Sequence, residues 1–219
     1  MLGLLTPNPR HFPGKVNVSF LSSVVVATQT ITVPSNVIDG DVAFLMDRII
    51  DSTLTSVRPT GWNTADEVAV TGQGSNSLRL ICSYKILTVT DANAVVTGMN
   101  SGTTVRKTML VFRGNRPISN CVIGGQVNSQ TANVATQAGN LTIAASAGDF
   151  PSLAFANWVS STTITTRGFT PAANAEINNG TGAYYTSYRV QNGAPVDIAL
   201  AMVAGTGTKI QEGFYATLS

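Results

Sequence analysis

The segment D-G-D-V-A-F-L-M-D-R-I-I, residues 39–50, decides the fold of this chain. An Asp-Gly turn signal opens the segment, and seven apolar residues follow in its last nine positions. The run is too short to span a membrane, and its β-branched and aromatic side chains favour a strand buried on both faces. The turn R-P-T-G-W at residues 58–62 follows and ends in the large aromatic residue Trp62. Residues 77–86 have the composition of a second long strand. Together these segments predict an all-β domain.

The remainder of the chain repeats this pattern of short strands and turns. Clusters of Gly and Asn, such as residues 72–76 and 191–193, separate the apolar segments, and a single helical turn is the most that residues 90–96 indicate. This spacing is typical of a jelly-roll-like antiparallel β-sandwich. We expect one sandwich domain over residues 15–219. The predicted strands are residues 16–21, 28–33, 42–50, 67–71, 78–87, 105–113, 121–123, 141–144, 153–159, 183–190, 196–203 and 209–218.

Two halves of the domain, about residues 28–114 and 138–219, resemble each other. Three landmarks recur in the same order and at nearly constant spacing, as a duplicated unit requires. A half of this size buries a core of its own only marginally, so we expect the halves to share one. The matched landmarks are Gly40-Asp41 with Gly148-Asp149, Arg58…Gly61-Trp62 with Arg167-Gly168-Phe169, and Ser83-Tyr84-Lys85 with Ser187-Tyr188-Arg189.

Residues 1–14, M-L-G-L-L-T-P-N-P-R-H-F-P-G, differ from the rest of the chain. Three prolines exclude a regular helix or strand, yet the segment is too apolar for a solvated tail. We interpret it as an irregular N-terminal arm that packs either on its own domain or on a neighbouring subunit. In the second case the assembly contacts are Leu2, Leu4, Leu5 and Phe12.

The composition excludes several classes of function. Charged residues make up 11% of the 219 residues, against roughly 25% in a typical soluble domain. The net charge of +2 comes without a run of Lys or Arg, so we expect no nucleic-acid partner. No segment predicts a membrane span or a signal peptide, which favours synthesis in a cytoplasm. With one histidine and two distant cysteines we expect no metal centre, and we predict that Cys82 is a buried free thiol.

The carboxylates do not form a catalytic pattern in the sequence. Asp47 lies in the apolar strand beside Arg48, where an ion pair is the more common arrangement than a general acid or base. Asp39 and Asp41 flank a turn glycine, and such side chains bond backbone amides more often than they bind Ca²⁺. No nucleophile or phosphate-loop motif is present. We therefore expect no catalytic residue and no cofactor, and predict that the protein is not an enzyme.

The aromatic residues allow a different interpretation, since sugars stack on exposed rings. Trp62 and Trp158 are interpreted as core or capping residues. Tyr184 and Tyr185 are adjacent in a predicted strand, so their side chains point to opposite faces. This alternation makes Tyr185 a candidate glycan-facing aromatic.

A combination of motifs resembles a known family. The pattern V-P-x-x-V-x-x-G-D-V-A-F-L, residues 33–45, is followed by P-x-G-W at 59–62, S-Y-K-I at 83–86 and V-F-R-G at 111–114. It is similar to a family of β-sandwich proteins common in tailed bacteriophages and encoded with their structural genes, over residues 30–114 and loosely beyond. The resemblance implies a virion structural component, either a capsid decoration or a tail or neck protein, made in the host cytoplasm. Its partners would be other virion proteins and copies of itself; the alternative is a carbohydrate- or receptor-binding module at a tail tip.

Overall fold

A computed structural model describes residues 16–50, 57–70, 77–99, 104–134, 141–145, 151–179 and 182–219. These residues form an antiparallel β-sandwich, which confirms the prediction of an all-β sandwich. One 3₁₀ turn, Val89–Asp91, lies where a single helical turn was expected. The strands are β1 Val18–Val26, β2 Ile31–Thr32, β3 Val42–Ile50, β4 Asn63–Val70, β5 Leu78–Ile86, β6 Val95–Val96, β7 Val105–Gly114, β8 Cys121–Val134, β9 Leu141–Ile143, β10 Ser152–Ser160, β11 Ile164–Thr170, β12 Ala175–Asn178, β13 Tyr184–Gln191, β14 Ile198–Ala204 and β15 Gly207–Leu218.

Each half of the chain builds one five-stranded antiparallel sheet around its most apolar strand. The first sheet has the order β1-β7-β3-β5-β4, and the second has the order β8-β15-β10-β13-β12. The predicted strand over residues 42–50 is β3, and residues 42–49 are buried because both faces of the first sheet are covered. The second sheet has an equally buried central strand in β10.

Two smaller sheets cover the outer faces of the large ones. The pair β2-β6 lies over the first sheet, and the three-stranded sheet β11-β14-β9 lies over the second. The result is a four-layer arrangement in which each large sheet contributes to two apolar clusters, one on either face. This explains why the central strands have continuous apolar runs instead of an alternating pattern.

Corresponding strands of the two halves occupy corresponding places and keep their register. Phe44 of β3 pairs with Tyr84 and Leu110, while Phe155 of β10 pairs with Tyr188 and Phe214. A salt bridge is repeated as well: Arg58 pairs with Glu67, and Arg167 pairs with Glu176. The arginine precedes the glutamate by nine residues in both halves. These correspondences support a duplicated unit.

The central core lies between the two large sheets and takes residues from both halves. The rings of Phe44 and Phe155 meet there with their centroids 4.5 Å apart, and Phe155 stacks on Phe214 at 5.0 Å. Neither half could cover this face alone, so the halves share the cluster.

The observed strands depart from the predicted ones mainly at sheet edges. Strand β8 extends to Val134, far beyond the predicted 121–123, and β6, β11 and β12 were not predicted. All of these lie at the edge of a sheet, where polar residues are tolerated and the apolar signal is weak. The N-terminal arm and the Gly148-Asp149 landmark lie outside the described residues.

Candidate functional site

A buried polar layer interrupts the apolar core between the two large sheets. At its centre is Arg48 on β3, which has no exposed surface. Its guanidinium donates to Thr108 Oγ1 at 2.9 Å, to Asn157 Oδ1 at 3.2 Å and to Thr186 Oγ1. Asn157 Nδ2 in turn donates to Glu212 Oε2 at 2.7 Å. Burial lowers the pKa of Arg48 to about 10, which still leaves it charged at neutral pH.

Glu212 supplies the acidic member of the layer and is fully buried. Burial, followed by the charge of Asp66, raises its pKa well above the usual value. Glu212 Oε1 and Asp66 Oδ2 are both buried and have no hydrogen-bond donor among the described residues. The two carboxyl groups interact directly, so a proton on Glu212 would supply the missing donor. Cys82 also lies against this carboxyl, and burial raises the pKa of its thiol.

The polar layer contains groups capable of acid–base chemistry, but they are sealed inside the protein. Arg48, Asn157 and Glu212 have no exposed surface, and neither have Thr108 and Thr186. A general acid or base has to come within hydrogen-bond reach of its substrate. The geometry therefore suits a structural role, in which buried hydrogen bonds between the two sheets fix how they pack on each other.

The carboxylates singled out in the sequence are bound by protein groups. Asp47 forms a buried salt bridge with Lys107 at 2.6 Å, and not with Arg48, which points to the opposite face of the strand. Asp41 receives two hydrogen bonds from Arg113, at 2.8 and 2.7 Å, and Asp39 accepts the Val89 amide at 2.7 Å. In the described part of the chain, no three His, Cys, Asp or Glu side chains form a group suited to a metal ion. Cys82 is a buried free thiol, as predicted, and so is Cys121.

The expectation that Tyr185 faces outward is wrong. Tyr185 is only 8% exposed and Tyr184 only 2%. The two rings do point to opposite faces, but the small sheet β11-β14-β9 covers the outer one, and Tyr185 belongs to the cluster beneath it. The guanidinium of Arg167 lies 3.5 Å from the centroid of the Tyr185 ring. A sugar therefore has no free ring face to stack on at this position.

The two tryptophans considered in the sequence have separate roles. Trp158 is fully buried, and its Nε1 donates to Gln211 Oε1 at 3.0 Å. Trp62 is half-buried, rests on the outer cluster of the first half and lines an open cleft of about 200 Å³. Lys85 and Asp91 line the same cleft and form a salt bridge at 2.6 Å. The sequence pattern pointed to the ring, but no local pattern indicated the charged pair in the same cleft.

The sheet edges offer a second kind of candidate site. Strands β1 and β8 occupy equivalent edges of the two large sheets, and neither contains a charged residue or a proline. Phe20, Val25 and Val122 lie on these strands and are 40%, 38% and 55% exposed. Among the described residues β1 pairs only with β7, and β8 only with β15. Long edges of this composition can add a further strand.

The opposite edges of the same sheets are protected. Strand β4 has Asp66 and Glu67 near its middle, and β12 is four residues long and contains Glu176. Across the sandwich β1 contacts β13, while β4 contacts β8. The two unprotected edges therefore lie on opposite sides of the subunit. The β8 edge lies beside the charged edge strand β4, and the β1 edge lies on the side of the short edge strand β12.

No helix in the described part of the chain is long and apolar enough to cross a bilayer. Comparison of the chain with family models, with curated proteins and with solved structures found no match in any of the three.

Proposed function

We propose that this chain is a non-enzymatic structural subunit of a bacteriophage virion, either a capsid decoration or a tail or neck component. It assembles with copies of itself and with other virion proteins through its sheet edges and its N-terminal arm. The observation that carries the proposal is the pair of uncharged edge strands, β1 and β8, on opposite sides of one sandwich. The motif resemblance over residues 30–114 supplies the virion context.

Two unprotected edges per subunit suit lateral assembly, because an exposed strand edge can pair with a strand of another chain. Monomeric β proteins protect long edges with charges, prolines or short strands, because free backbone groups there pair with other chains. This chain protects one edge of each large sheet in that way, and no strand among the described residues pairs with the other edge. Backbone hydrogen bonds supply affinity in strand addition, and repetition around a particle multiplies weak contacts.

Edge variants test the assembly mode. Val25→Lys on β1 and Val122→Lys on β8 place a charge on each unprotected edge, and Val89→Lys is a matched control at a position 57% exposed in the 3₁₀ turn. Analytical ultracentrifugation of the full chain should show concentration-dependent association for the wild type and the control, and a monomer for the double edge variant. Association of the double variant at wild-type strength would exclude the edges as the interface.

A separate experiment tests the virion context. An antibody raised against the chain should detect it in the density-gradient band of particles released from the source cells during lytic growth. Replacing Leu2, Leu4 and Leu5 with Ser should remove the protein from that band if the arm docks on a neighbour. Absence of the wild-type chain from every particle fraction would overturn the proposal.

A further inference from the structure

The Trp62 cleft combines an aromatic surface with a balanced pair of charges, in a part of the molecule that the assembly proposal does not use. It lies on the outer side of the first half, between the turn at residues 59–62 and the β2-β6 sheet. We propose that this cleft binds one neutral sugar ring of the hexose class.

A tight turn holds the indole ring in place. The backbone N–H of Trp62 donates to Pro59 O at 3.2 Å, and Gly61, at the third position of the turn, has a left-handed φ of +81°. That geometry is typical of a type II turn and favours glycine. On its inner side the ring packs against the outer cluster of the first half. Val33, Leu87 and Val95 line the same cleft, so part of its surface is apolar.

The polar wall of the cleft is also fixed in position. Asp91 Oδ1 accepts from Lys85 Nζ at 2.6 Å, and Oδ2 accepts from the Thr88 amide at 2.9 Å. Hydrogen bonds from Lys85 and from Thr88 hold the pKa of Asp91 below its usual value, although burial acts in the opposite direction. Lys85 and Asp91 are each partly exposed, with side-chain exposures of 30% and 15%. A donor and an acceptor therefore lie side by side at the cleft, with the hydroxyls of Thr60 and Thr97 nearby.

This arrangement selects a ligand by its chemistry. A pyranose has an apolar C–H face that can cover an indole ring, and adjacent hydroxyls that each donate and accept a hydrogen bond. Because the charges of Lys85 and Asp91 balance, the cleft offers no net attraction to an anion or a cation. Its volume of about 200 Å³ lies below the roughly 300–1,000 Å³ of pockets for drug-sized ligands, which limits the occupant to about one ring.

The corresponding region of the second half lacks these features and serves as an internal comparison. There Phe169 lies within β11, which is paired along its length with β14. The depression beside it is lined by Leu, Thr, Gly and Ala residues, without a charged side chain. Stacking and hydroxyl recognition are therefore combined in the first half alone, among the residues that the structure describes.

Intrinsic fluorescence of the full chain can test the proposal directly. The sequence contains two tryptophans, and the buried Trp158 is shielded, so quenching by a ligand reports on Trp62. Methyl glucoside, methyl galactoside and methyl mannoside are the neutral probes, and glucosamine and sialic acid are the charged ones. At least one neutral probe should bind with a Kd of about 1 mM or tighter, and calorimetry should give the same value.

Matched variants separate the cleft from the rest of the surface. Trp62→Ala should weaken binding roughly thirtyfold, the effect of truncating an anchoring aromatic. Lys85→Met keeps the length of the side chain but removes its charge, and it should weaken binding about tenfold. This variant still tests the cleft if Trp62→Ala fails to fold. Phe169→Ala, the same kind of truncation in the second half, should leave the Kd unchanged.

Three results would overturn the proposal: no neutral probe binds, a charged sugar binds while the neutral ones do not, or the affinity is unchanged in both Trp62→Ala and Lys85→Met. None of these measurements depends on assembly, so they leave the proposed function untouched.

Discussion

The two halves of the chain have the same order of five strands but differ in the segment that follows the central strand. In the first half, residues 59–62 form a turn and the outer cover is the two-stranded β2-β6 sheet. In the second half, the equivalent residues belong to β11, which widens the cover to three strands. The sheet is therefore the conserved part of the repeat, and the connection is the part that varies. One connection leaves a cleft beside Trp62, and the other buries Tyr185.

The inner faces of the halves differ at equivalent positions as well. Met46 on β3 pairs with Cys82 and Thr108, whereas Asn157 on β10 pairs with Thr186 and Glu212. The first half supplies Arg48 to the polar layer, and the second half supplies the groups that accept its hydrogen bonds, apart from Thr108. A separated half would expose these groups unpaired, which makes the halves parts of a single cooperative unit.

The largest expected effect comes from the aromatic pair at the centre of the shared core. Phe44→Ala and Phe155→Ala should each lower the free energy of unfolding by about 3–5 kcal/mol, because each leaves a cavity at the same contact. Calorimetry should show one transition for the wild type and for both variants. Two separate transitions, with each variant shifting only one, would mean that the halves unfold independently.

The next effect concerns the acidic side of the polar layer. The pKa of Glu212 is raised in the folded protein, so its contribution to stability is complete below the unfolded pKa of about 4.3 and is lost as pH rises toward the folded value. Wild-type stability should therefore fall relative to Glu212→Gln by up to about 1.4 kcal/mol per pH unit above pH 4.3. Urea unfolding of both proteins between pH 4 and pH 8 measures this difference. Parallel curves would show that Glu212 is not held protonated.

A smaller effect tests the difference between the two connections. Gly61 has φ of +81 and open space around it, so Gly61→Ala should cost about 1–2 kcal/mol through backbone strain alone. At Gly168 an added Cβ would lie 3.2 Å from the Ala201 Cβ, without a left-handed backbone. Gly168→Ala should therefore change stability by less than about 1 kcal/mol. Equal costs in thermal unfolding would contradict the assignment of one site as a turn and the other as a strand.

The smallest effect concerns the repeated salt bridge. Arg58→Lys and Arg167→Lys both remove a planar guanidinium that faces a glutamate, at a cost of about 0.2–1 kcal/mol each. Arg167→Lys should cost more, by about 0.5 kcal/mol, because Arg167 also lies over the Tyr185 ring. Chemical denaturation of the two variants compares them. A larger loss in Arg58→Lys would mean that the ring contact contributes nothing.

Strands that are buried on both faces could be predicted from the sequence, whereas several strands at the sheet edges could not. Strand β3 was predicted to its observed bounds because its burial on both faces requires a continuous apolar run. Most of β8 escaped prediction because an edge strand can consist of Gln, Asn, Ser and Thr, which carry no apolar pattern. The duplication was visible in aligned landmarks, although the matching glutamates, Glu67 and Glu176, are not among those landmarks.

The candidate sites were less predictable, since they depend on which layers meet. Strand alternation correctly placed Tyr184 and Tyr185 on opposite faces, but it could not indicate that another sheet covers the outer face. The link between Arg48 and Glu212 through Asn157 joins residues from three strands in two sheets, and no local pattern encodes it. The cleft at Trp62 likewise required the fold, because Lys85 and Asp91 come to the same cleft as the ring only through the packing of the first half.

If β1 and β8 both add strands, as proposed, their placement on opposite sides makes the subunit the equivalent of a bifunctional monomer in polymer chemistry. A molecule with one reactive end stops at a pair, whereas a molecule with two continues until its ends are capped or the chain closes into a ring. The angle added by each joint then fixes the number of subunits in a closed ring. If both ends react, the extent of growth is set by geometry and by the supply of capping partners, and not by the strength of a single joint.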